Sequence, residues 1–339
     1  MKLPTSWRHP AALVPLLLVA VLVLLPLVAR HLEQNFYLVL ATRFIVYAIA
    51  AIALNLALGL GGMVSFGHAL FFGMGAYSVA IPAHFGMANG WLHLSVCIAS
   101  CAAVGALTGA ISLRTSGMAF IMITLAFAQM GYFMFVSLKQ LGGDDGTPIA
   151  SGSHFFGLDL GKAENLYVVA LAVLLLCTWW MARLRVSPFG MTLRAANRNA
   201  RKVNAAGLDA RRYQLAAYVL SAVLCGIAGM LMANLNAFAT PNFLTWMVSG
   251  ELIVMVVLGG IGTVFGPVFG AFAFLGLEEI LKELTAHWMA PFGLAIVAIA
   301  LLGKNGIAGL LAAWSRRPAW RMPRFKRALA LQATKEGVR

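Results

Sequence analysis

The chain has 339 residues, of which 61% are hydrophobic and 11% are charged, and its formal net charge is +14 at pH 7. Soluble domains carry about 25% charged residues, so this composition excludes an ordinary soluble domain and predicts a polytopic membrane protein. The basic residues lie in a few segments between apolar runs and near the C-terminus, as membrane topology requires, which argues against nucleic acid as a partner.

Apolar runs, taken in chain order, predict the membrane-spanning helices. A helix needs about 20 predominantly apolar residues to cross a bilayer. Runs of suitable length predict spans at 11–29, 36–60, 62–82, 91–112, 117–138, 166–184, 213–236, 245–264, 266–281 and 287–303. The run at 266–281 is short enough to be a partial or re-entrant span. The predicted fold is an all-α polytopic integral membrane protein, in which residues 1–339 form one transmembrane domain of about ten helices.

Basic residues predict the orientation of these helices. When the N-terminus is placed inside and the helices alternate, most lysines and arginines fall on the inner side. The long segment 183–212 and the basic tail 304–339 carry most of them and lie on the same side. Both termini are therefore predicted to be cytoplasmic, and residues 139–165 form the longest loop on the outer side.

Motifs for catalysis are missing from the sequence. It contains no G-x-x-x-x-G-K-[ST] phosphate loop, no H-E-x-x-H zinc motif and no G-x-S-x-G nucleophile motif. The four cysteines all lie in apolar runs, where free cysteine behaves as a small hydrophobic residue. We therefore expect no enzymatic activity, no metal site and no cofactor held by this chain, and a conduit becomes the leading interpretation.

Ionisable residues within predicted spans are costly and mark candidate functional positions. Arg43 and Glu251 lie at about the same depth from the outer side, which makes them candidate partners, although Arg43 is also near enough to the surface to extend into it. Glu251 is interpreted either as a packing anchor or as a cavity-lining group. His68 is interpreted either as a hydrogen-bonded packing residue or as a ligand.

The stretch GGMVSFGHALFFGMGAY, residues 61–77, is rich in glycine. Glycine lets helices approach closely in a membrane and also lets a helix break where its backbone lines a cavity. In a continuous helix Ser65 and His68 share one face, and Tyr77 lies on roughly the opposite face, near the outer interface. The candidate translocation path consists of polar residues deep in the spans: Asn55, Ser65, His68, Thr124, Gln129 and Glu251.

Glycines four residues apart predict close helix packing elsewhere. Gly105 and Gly109 have this spacing in one span, and Gly262, Gly266 and Gly270 have it in the stretch LGGIGTVFGPVFGAF. The latter stretch shares a Gly-Gly pair and a later Phe-Gly pair with residues 61–77. The likeness is too weak to indicate an internal repeat.

Five blocks of the sequence resemble the permease subunits of branched-chain amino acid ABC transporters. They are LNLALGLGGMVSFGHALFFGMGAY at 54–77, RTSGMAFIMITLAFAQM at 114–130, LGGDDG at 141–146, the basic loop with its following span at 187–229, and GELIVMVVLGGIGTVFGPVFGA at 250–271. The blocks occur in order over about residues 40–310. Together they resemble the second, longer permease type of such systems, from which the chain departs at 118–120 and at 303–307.

The resemblance implies a multi-pass protein of the bacterial inner membrane that works with other subunits. These are a second permease subunit, two cytoplasmic ATP-binding subunits and a periplasmic solute-binding protein. The implied function is import of branched-chain amino acids or a related small solute by alternating access. Urea, short amides or aromatic acids are the alternative substrates, and a secondary transporter without ATPases is the alternative mechanism.

The same resemblance gives the two long loops candidate roles. Residues 187–212 predict a short helix along the membrane surface that docks on the ATPase through Arg194, Ala195, Ala196, Arg198 and Gly207. In the outer loop, adjacent aspartates and glycines predict a turn. This turn is interpreted either as the dock for the periplasmic protein, through Gly143, Asp144, Asp145 and Gly146, or as a solvated turn only.

Overall fold

The computed structural model describes residues 17–26, 35–285, 287–302 and 306–309. Three predictions lie outside the described residues. They are the cytoplasmic position of the N-terminus, both ends of the predicted span 11–29, and the basic tail 304–339 apart from residues 306–309. Between these limits the chain is predominantly helical, as the apolar runs predict.

The helices follow one another along the chain. They are α1 (Leu17–Pro26), α2 (Asn35–Asn55), α3 (His68–His84), α4 (Gly90–Ser112), α5 (Met118–Ser137), α6 (Ala163–Val186), α7 (Pro188–Ala205), α8 (Ala210–Asn236), α9 (Trp246–Gly259), α10 (Gly266–Leu284) and α11 (Met289–Leu302). A π-helical turn at Leu56–Leu60 continues α2. Short 3-10 turns at Lys139–Leu141 and Pro241–Leu244 follow α5 and precede α9.

Short strands organise the loops at one end of the bundle. They are β1 (Thr147–Pro148), β2 (His154–Phe155), β3 (Leu158–Asp159) and β4 (Phe238–Ala239). β1 pairs antiparallel with β4, and β2 pairs antiparallel with β3. The β1–β4 pair joins the long loop after α5 to the segment after α8.

Five helical segments of the described chain are long and apolar enough to cross a membrane, and the chain is therefore a multi-pass membrane protein. They are Phe36–Leu60, α4, α5, α6 and α8. The apolar helices α1, α9 and Met289–Ala298 within α11 are shorter. The number of crossings therefore stays a prediction.

Close backbone contact holds the centre of the bundle, where α8 packs against α2, α3 and α4. A Cβ atom on Gly75 of α3 would overlap the carbonyl oxygen of Gly226 of α8. A Cβ atom on Gly229 would overlap the carbonyl oxygen of Phe72. Small residues occupy such positions because helices in a membrane associate through close van der Waals packing.

The packing role predicted for the glycines of α4 is confirmed. A Cβ atom on Gly105 would lie 3.0 Å from that of Ala222, and one on Gly109 would lie 2.8 Å from the ring of Tyr218. Both neighbours belong to α8. The G-x-x-x-G spacing of α4 therefore marks its contact with α8.

Two helices have other limits than the apolar runs predict. The helix predicted at 62–82 begins only at His68, and the helix predicted at 245–264 ends at Gly259. Gly62 (φ +69°) and Gly262 (φ +72°) have left-handed backbone conformations that interrupt helical structure. Gly262 therefore lies in a turn and does not share a helix with Gly266.

The break before α3 corrects two expectations about residues 61–77. Ser65 and His68 do not share a helical face, because Ser65 precedes the helix. Tyr77 is buried, with 1% of its surface exposed, and its ring stacks on that of Phe135 at 4.2 Å. It is a packing residue and not an aromatic residue of the outer interface.

The helix predicted within 187–212 is present as α7. The Ser187 hydroxyl accepts from the Gly190 N–H (3.2 Å), and Pro188 occupies the first turn, where its missing N–H costs nothing. The buried face carries apolar residues: Leu193, Ala196 and Val203. The opposite face is basic, and this amphipathic pattern is typical of a helix at a membrane surface.

Candidate functional site

The first junction, residues 61–67, joins the π-helical turn to α3 and is held by hydroxyl groups of other helices. The Phe66 N–H donates to Thr124 Oγ1 of α5 (3.2 Å). Ser249 Oγ of α9 donates to the Phe66 carbonyl (2.7 Å) and accepts from the Ala69 N–H (2.8 Å). Ser65 Oγ accepts from the Gly67 N–H (3.1 Å). Irregular backbone at membrane depth needs such partners, because lipid offers none.

The second junction, residues 260–265, joins α9 to α10 and is held by Asn55 at the end of α2. The Asn55 amide donates to the Thr263 carbonyl (2.8 Å), and its oxygen accepts from the Gly262 N–H (2.8 Å). A Cβ atom on Gly59 would lie 2.6 Å from the Gly262 nitrogen. The end of α2 therefore connects the two junctions.

His68, the first residue of α3, is buried against α8 and α2. Its Nε2 atom lies 2.7 Å from Ser221 Oγ, and the Ser221 hydroxyl donates to the Ala53 carbonyl (2.5 Å). Since the single hydroxyl hydrogen is used there, His68 Nε2–H is the donor to Ser221. The ring also contacts those of Phe71 and Tyr218 edge-on. These contacts favour the packing interpretation of His68.

The structure divides the candidate path residues into two groups. Asn55, Ser65, His68 and Thr124 are at most 1% exposed, and each bonds to neighbouring backbone or side chains as described above. The other two, Gln129 of α5 and Glu251 of α9, are half-buried. The first group supports the junctions, and the second group remains open to a pathway.

An ion-pair cluster near Glu251 was not predicted from the sequence. Arg43 pairs with Glu278 of α10 at 3.7 Å, and Glu278 also bonds to Lys282 at 2.5 Å. The expectation that Arg43 pairs with Glu251 is therefore replaced by a pair with Glu278. The signal was the run LEEILKEL at the end of α10, whose Glu278 lies inside the predicted span 266–281 and was not singled out as an ionisable residue.

The two faces of α7 have different neighbours. Ala196 is buried toward the bundle with Val203 and Ala210, whereas Ala195 and Arg198 are exposed and line a groove of about 600 Å³. Arg194 is partly buried, because its guanidinium donates to the Arg185 carbonyl at the end of α6 (2.8 Å). Among the residues predicted to dock on the ATPase, Ala195, Arg198 and Gly207 are exposed, and the first two of these line the groove.

A direct contact links α7 to the first junction. A Cβ atom on Gly62 would overlap the side-chain amide of Asn197 on α7. Gly207, in the turn between α7 and α8, has φ +83° and open space around it, so its role is conformational. A displacement of α7 would therefore push on Gly62 of the first junction.

The turn predicted in the outer loop is present after α5. Gly143 (φ +57°) and Gly146 (φ +84°) have left-handed conformations that other residues adopt poorly. Asp144 and Asp145 are exposed between them, and Asp144 Oδ1 accepts from the Tyr132 hydroxyl (3.4 Å). The exposed carboxylates leave the predicted docking role open.

Cysteines converge between α4 and α8 without forming a ligand set. Cys225 Sγ donates to the His68 carbonyl (3.3 Å), and Cys101 Sγ donates to that of Phe71 (3.7 Å). Across the described residues, no three His, Cys, Asp or Glu side chains are arranged to hold a metal ion. These thiols lie between packed helices and bond to carbonyls of α3.

Comparison with known proteins gives one consistent result. The family model described as "Branched-chain amino acid transport system / permease component" matches residues 36–303, which contain α2 to α11. The chain is 28% identical over 292 residues to the high-affinity branched-chain amino acid transport system permease protein LivM of Escherichia coli, covering 79% of this chain and 69% of that protein. No solved structure matches the chain.

Two further relatives set the range of similarity. The permease protein LivH of Escherichia coli is 24% identical over 280 residues, covering 76% of this chain and 88% of that protein. The fructose import permease protein FrcC of Rhizobium meliloti is 28% identical over 147 residues, covering 41% of this chain and 40% of that protein. The identity and the extent of the match to LivM agree with the resemblance to the longer permease type.

Proposed function

Because the chain belongs to the family of permease components of branched-chain amino acid transport systems, we propose that it is the permease subunit of an ABC importer for branched-chain amino acids in a bacterial inner membrane. The observation that carries this proposal is the family match across residues 36–303, which covers the whole bundle from α2 to α11. The ATP is bound by separate subunits, and a second permease completes the pathway. Ten crossings with both termini in the cytoplasm place α7 on the cytoplasmic side.

Docking of the ATPase is assigned to the exposed face of α7. The groove there combines apolar lining with two basic groups, through Met191, Ala195, Arg198, Lys202 and Val203. Its position suits coupling, because the opposite face of α7 contacts Gly62 and hence the first junction. Movement of the ATPase would reach the membrane helices along this route.

The solute pathway is assigned to a face that Gln129 of α5 and Glu251 of α9 would share. Both side chains are half-buried, and exposed methionines lie beside them on the same helices, Met130 at 65% and Met247 at 60%. A flexible methionine surface suits apolar side chains, since the thioether adapts its shape. The second permease would close the pathway on this face.

Reconstitution tests the proposal. The chain, its second permease, its ATPases and its periplasmic protein are placed in proteoliposomes, and uptake of radiolabelled leucine is measured with and without ATP. Uptake that depends on ATP and on the periplasmic protein supports the proposal. Uptake by the chain alone would show a secondary transporter, and binding of urea, amides, aromatic acids or fructose by the periplasmic protein instead of leucine would reassign the substrate.

Two substitutions separate docking from folding. Ala195→Trp should abolish ATPase association, because the indole fills the groove on α7. Ala182→Trp is the matched control, since Ala182 is exposed near the end of α6 and outside the groove. Equal loss of association in both variants would contradict the assignment of the groove.

A further inference from the structure

A second cavity, which the proposed function does not use, lies behind α7. Its volume is about 430 Å³, and it is lined by α7, the start of α8, the first junction and the α4–α5 turn. Three arginines line it from three different segments: Arg114 from the α4–α5 turn, Arg201 from α7 and Arg211 from α8. This arrangement differs from the groove on the outer face of α7, with which it shares no lining residue.

The cavity is strongly basic. Its lining contains no aspartate or glutamate, and in the described part of the chain none of the three arginines takes part in a salt bridge. The other polar lining residues are amides and hydroxyls: Asn197, Asn204, Gln214, Thr115 and Ser116. Three exposed arginines that line one space suit an anion with several oxygens, and arginine binds phosphate oxygens in pairs.

The start of α5 adds to the positive electrostatic potential of the cavity. Gly117 (φ +62°), Phe120 and Ile121 line the cavity, and no side chain caps the helix at Gly117. The free N–H groups of a helix N-terminus favour an anion nearby. This contribution supports the three arginines and would not make a site without them.

The exposed surface beside the cavity indicates which source of phosphate fits. In the first turns of α5, Met118 is 68% exposed and Met122 is 57% exposed. A basic pocket next to an apolar helix face matches a lipid, whose headgroup is anionic and whose chains are apolar. Basic pockets between helices on the cytoplasmic side are known to suit such headgroups.

We infer that this arginine cavity binds the phosphate of an anionic phospholipid from the cytoplasmic leaflet, with its acyl chains against Met118 and Met122. The bound headgroup would join α7, α8 and the start of α5 beside Gly62. It would stiffen the contact through which α7 reaches the first junction. The inference rests on the cytoplasmic position proposed for α7 and does not depend on the transported solute.

Native mass spectrometry of the full, delipidated chain tests the inference. Dioleoyl phosphatidylglycerol and dioleoyl phosphatidylcholine are titrated separately into wild type and two triple variants. The cavity variant is Arg114→Gln with Arg201→Gln and Arg211→Gln. The control removes the same charge outside the cavity, as Arg198→Gln with Lys202→Gln and Arg212→Gln, where Arg212 already pairs with Asp209 (3.1 Å).

We expect wild type to prefer phosphatidylglycerol, and we expect the cavity variant to lose at least about tenfold in its affinity, through loss of charge-assisted bonds. The control should change less than about threefold. Equal losses in both variants would show general charge attraction and overturn the site, as would no loss in either. A thermal shift of wild type by phosphatidylglycerol, absent with phosphatidylcholine, supports the site even if the cavity variant folds poorly.

Inorganic phosphate at matched ionic strength distinguishes the source of the anion. If it displaces the lipid at millimolar concentration and binds wild type by itself, the cavity recognises free phosphate and the lipid assignment is overturned. If it leaves the lipid bound, the acyl chains contribute and the assignment stands. If the reconstituted wild-type system takes up no leucine while its lipid binding is as expected, the proposed function fails and this site stands.

Discussion

The two glycine junctions start alike and are held differently. A Gly-Gly pair stands where each begins, at 61–62 and at 259–260, and each contains a glycine at φ near +70°, Gly62 and Gly262. The first junction bonds to hydroxyls from α5 and α9, whereas the second bonds mainly to one side chain, Asn55. Similar sequences therefore break helices at both places, but the neighbouring helices decide how firmly each break is fixed.

The residues of the two junctions also differ in surface exposure. Ser65 of the first junction is fully buried, whereas Ile261 and Phe265 of the second are 52% and 40% exposed. Low burial and few partners mark segments that open at small cost. We therefore expect the second junction to be the more mobile of the two, and the following variants test this comparison.

The largest effect is expected at the π-helical turn before the first junction, where Gly59 touches the second junction. Gly59→Val places side-chain atoms against Asn55 and the Gly262 backbone, which has no room to move. We expect a loss of more than about 4 kcal/mol and little folded protein, measured by fluorescence-detected size exclusion. Gly276→Val is the control, because Gly276 has open space. A folded Gly59→Val protein with wild-type thermal stability would contradict the contact.

The next variant separates packing from chemistry at the start of α3. Gly67→Leu crowds the Tyr218 hydroxyl, Ser65 and the Thr124 carbonyl, all within 3.3 Å of a Cβ atom there, and should cost about 3 kcal/mol. His68→Gln keeps a donor for Ser221 and should cost about 1 kcal/mol. Thermal unfolding and uptake are both measured. If His68→Gln assembles normally and loses uptake, the packing interpretation of His68 is wrong.

Removing the two Asn55 hydrogen bonds that hold the second junction should have an intermediate effect. Asn55→Leu leaves the Gly262 N–H and the Thr263 carbonyl without their partner, at a cost of about 2–3 kcal/mol. Hydrogen exchange should rise at residues 260–265 and stay unchanged at 61–67. Asn165→Leu, which removes a single bond to the Asp159 carbonyl, is the control. Faster exchange at 61–67 instead would reverse the comparison.

The smallest effect is expected at the first junction. Ser249→Ala removes one hydroxyl that bonds to Phe66 and Ala69, while Thr124 still holds the Phe66 N–H. The expected loss is about 1–2 kcal/mol in thermal unfolding. Ser95→Ala, at an exposed site, should be neutral. A larger loss of stability than in Asn55→Leu would mean that the remaining hydrogen bonds of the first junction do not compensate for the lost one.

Much of the helical pattern was predictable from the sequence, and its limits were not. The apolar runs at 36–60, 91–112 and 166–184 match helices closely, because about 20 apolar residues must form a helix in lipid. Residues 61–67 are as apolar as their neighbours, so hydropathy could not show that the helix stops there. The stop depends on the φ of Gly62 and on partners from α5 and α9.

The candidate path residues were chosen as polar groups within the spans, and a role in a path stays a prediction for them. Three of them, Asn55, Ser65 and Thr124, are buried and bond to backbone groups. Their roles depend on partners up to 208 residues away, which spacing along one helix cannot reveal. The periodicity of 187–212 indicated α7, and yet packing against the bundle was needed to tell Ala195 from Ala196.

The sequence by itself determined a helical membrane protein and its family, because hydropathy, charge and ordered motif blocks are local properties of the chain. The tertiary structure alone decided that the two glycine stretches are helix breaks linked by the end of α2, that Arg43 pairs with Glu278, and that three arginines line one cavity. Each of these depends on segments far apart in sequence. Their approach is set by packing of whole helices, in which a single glycine Cβ would be too large.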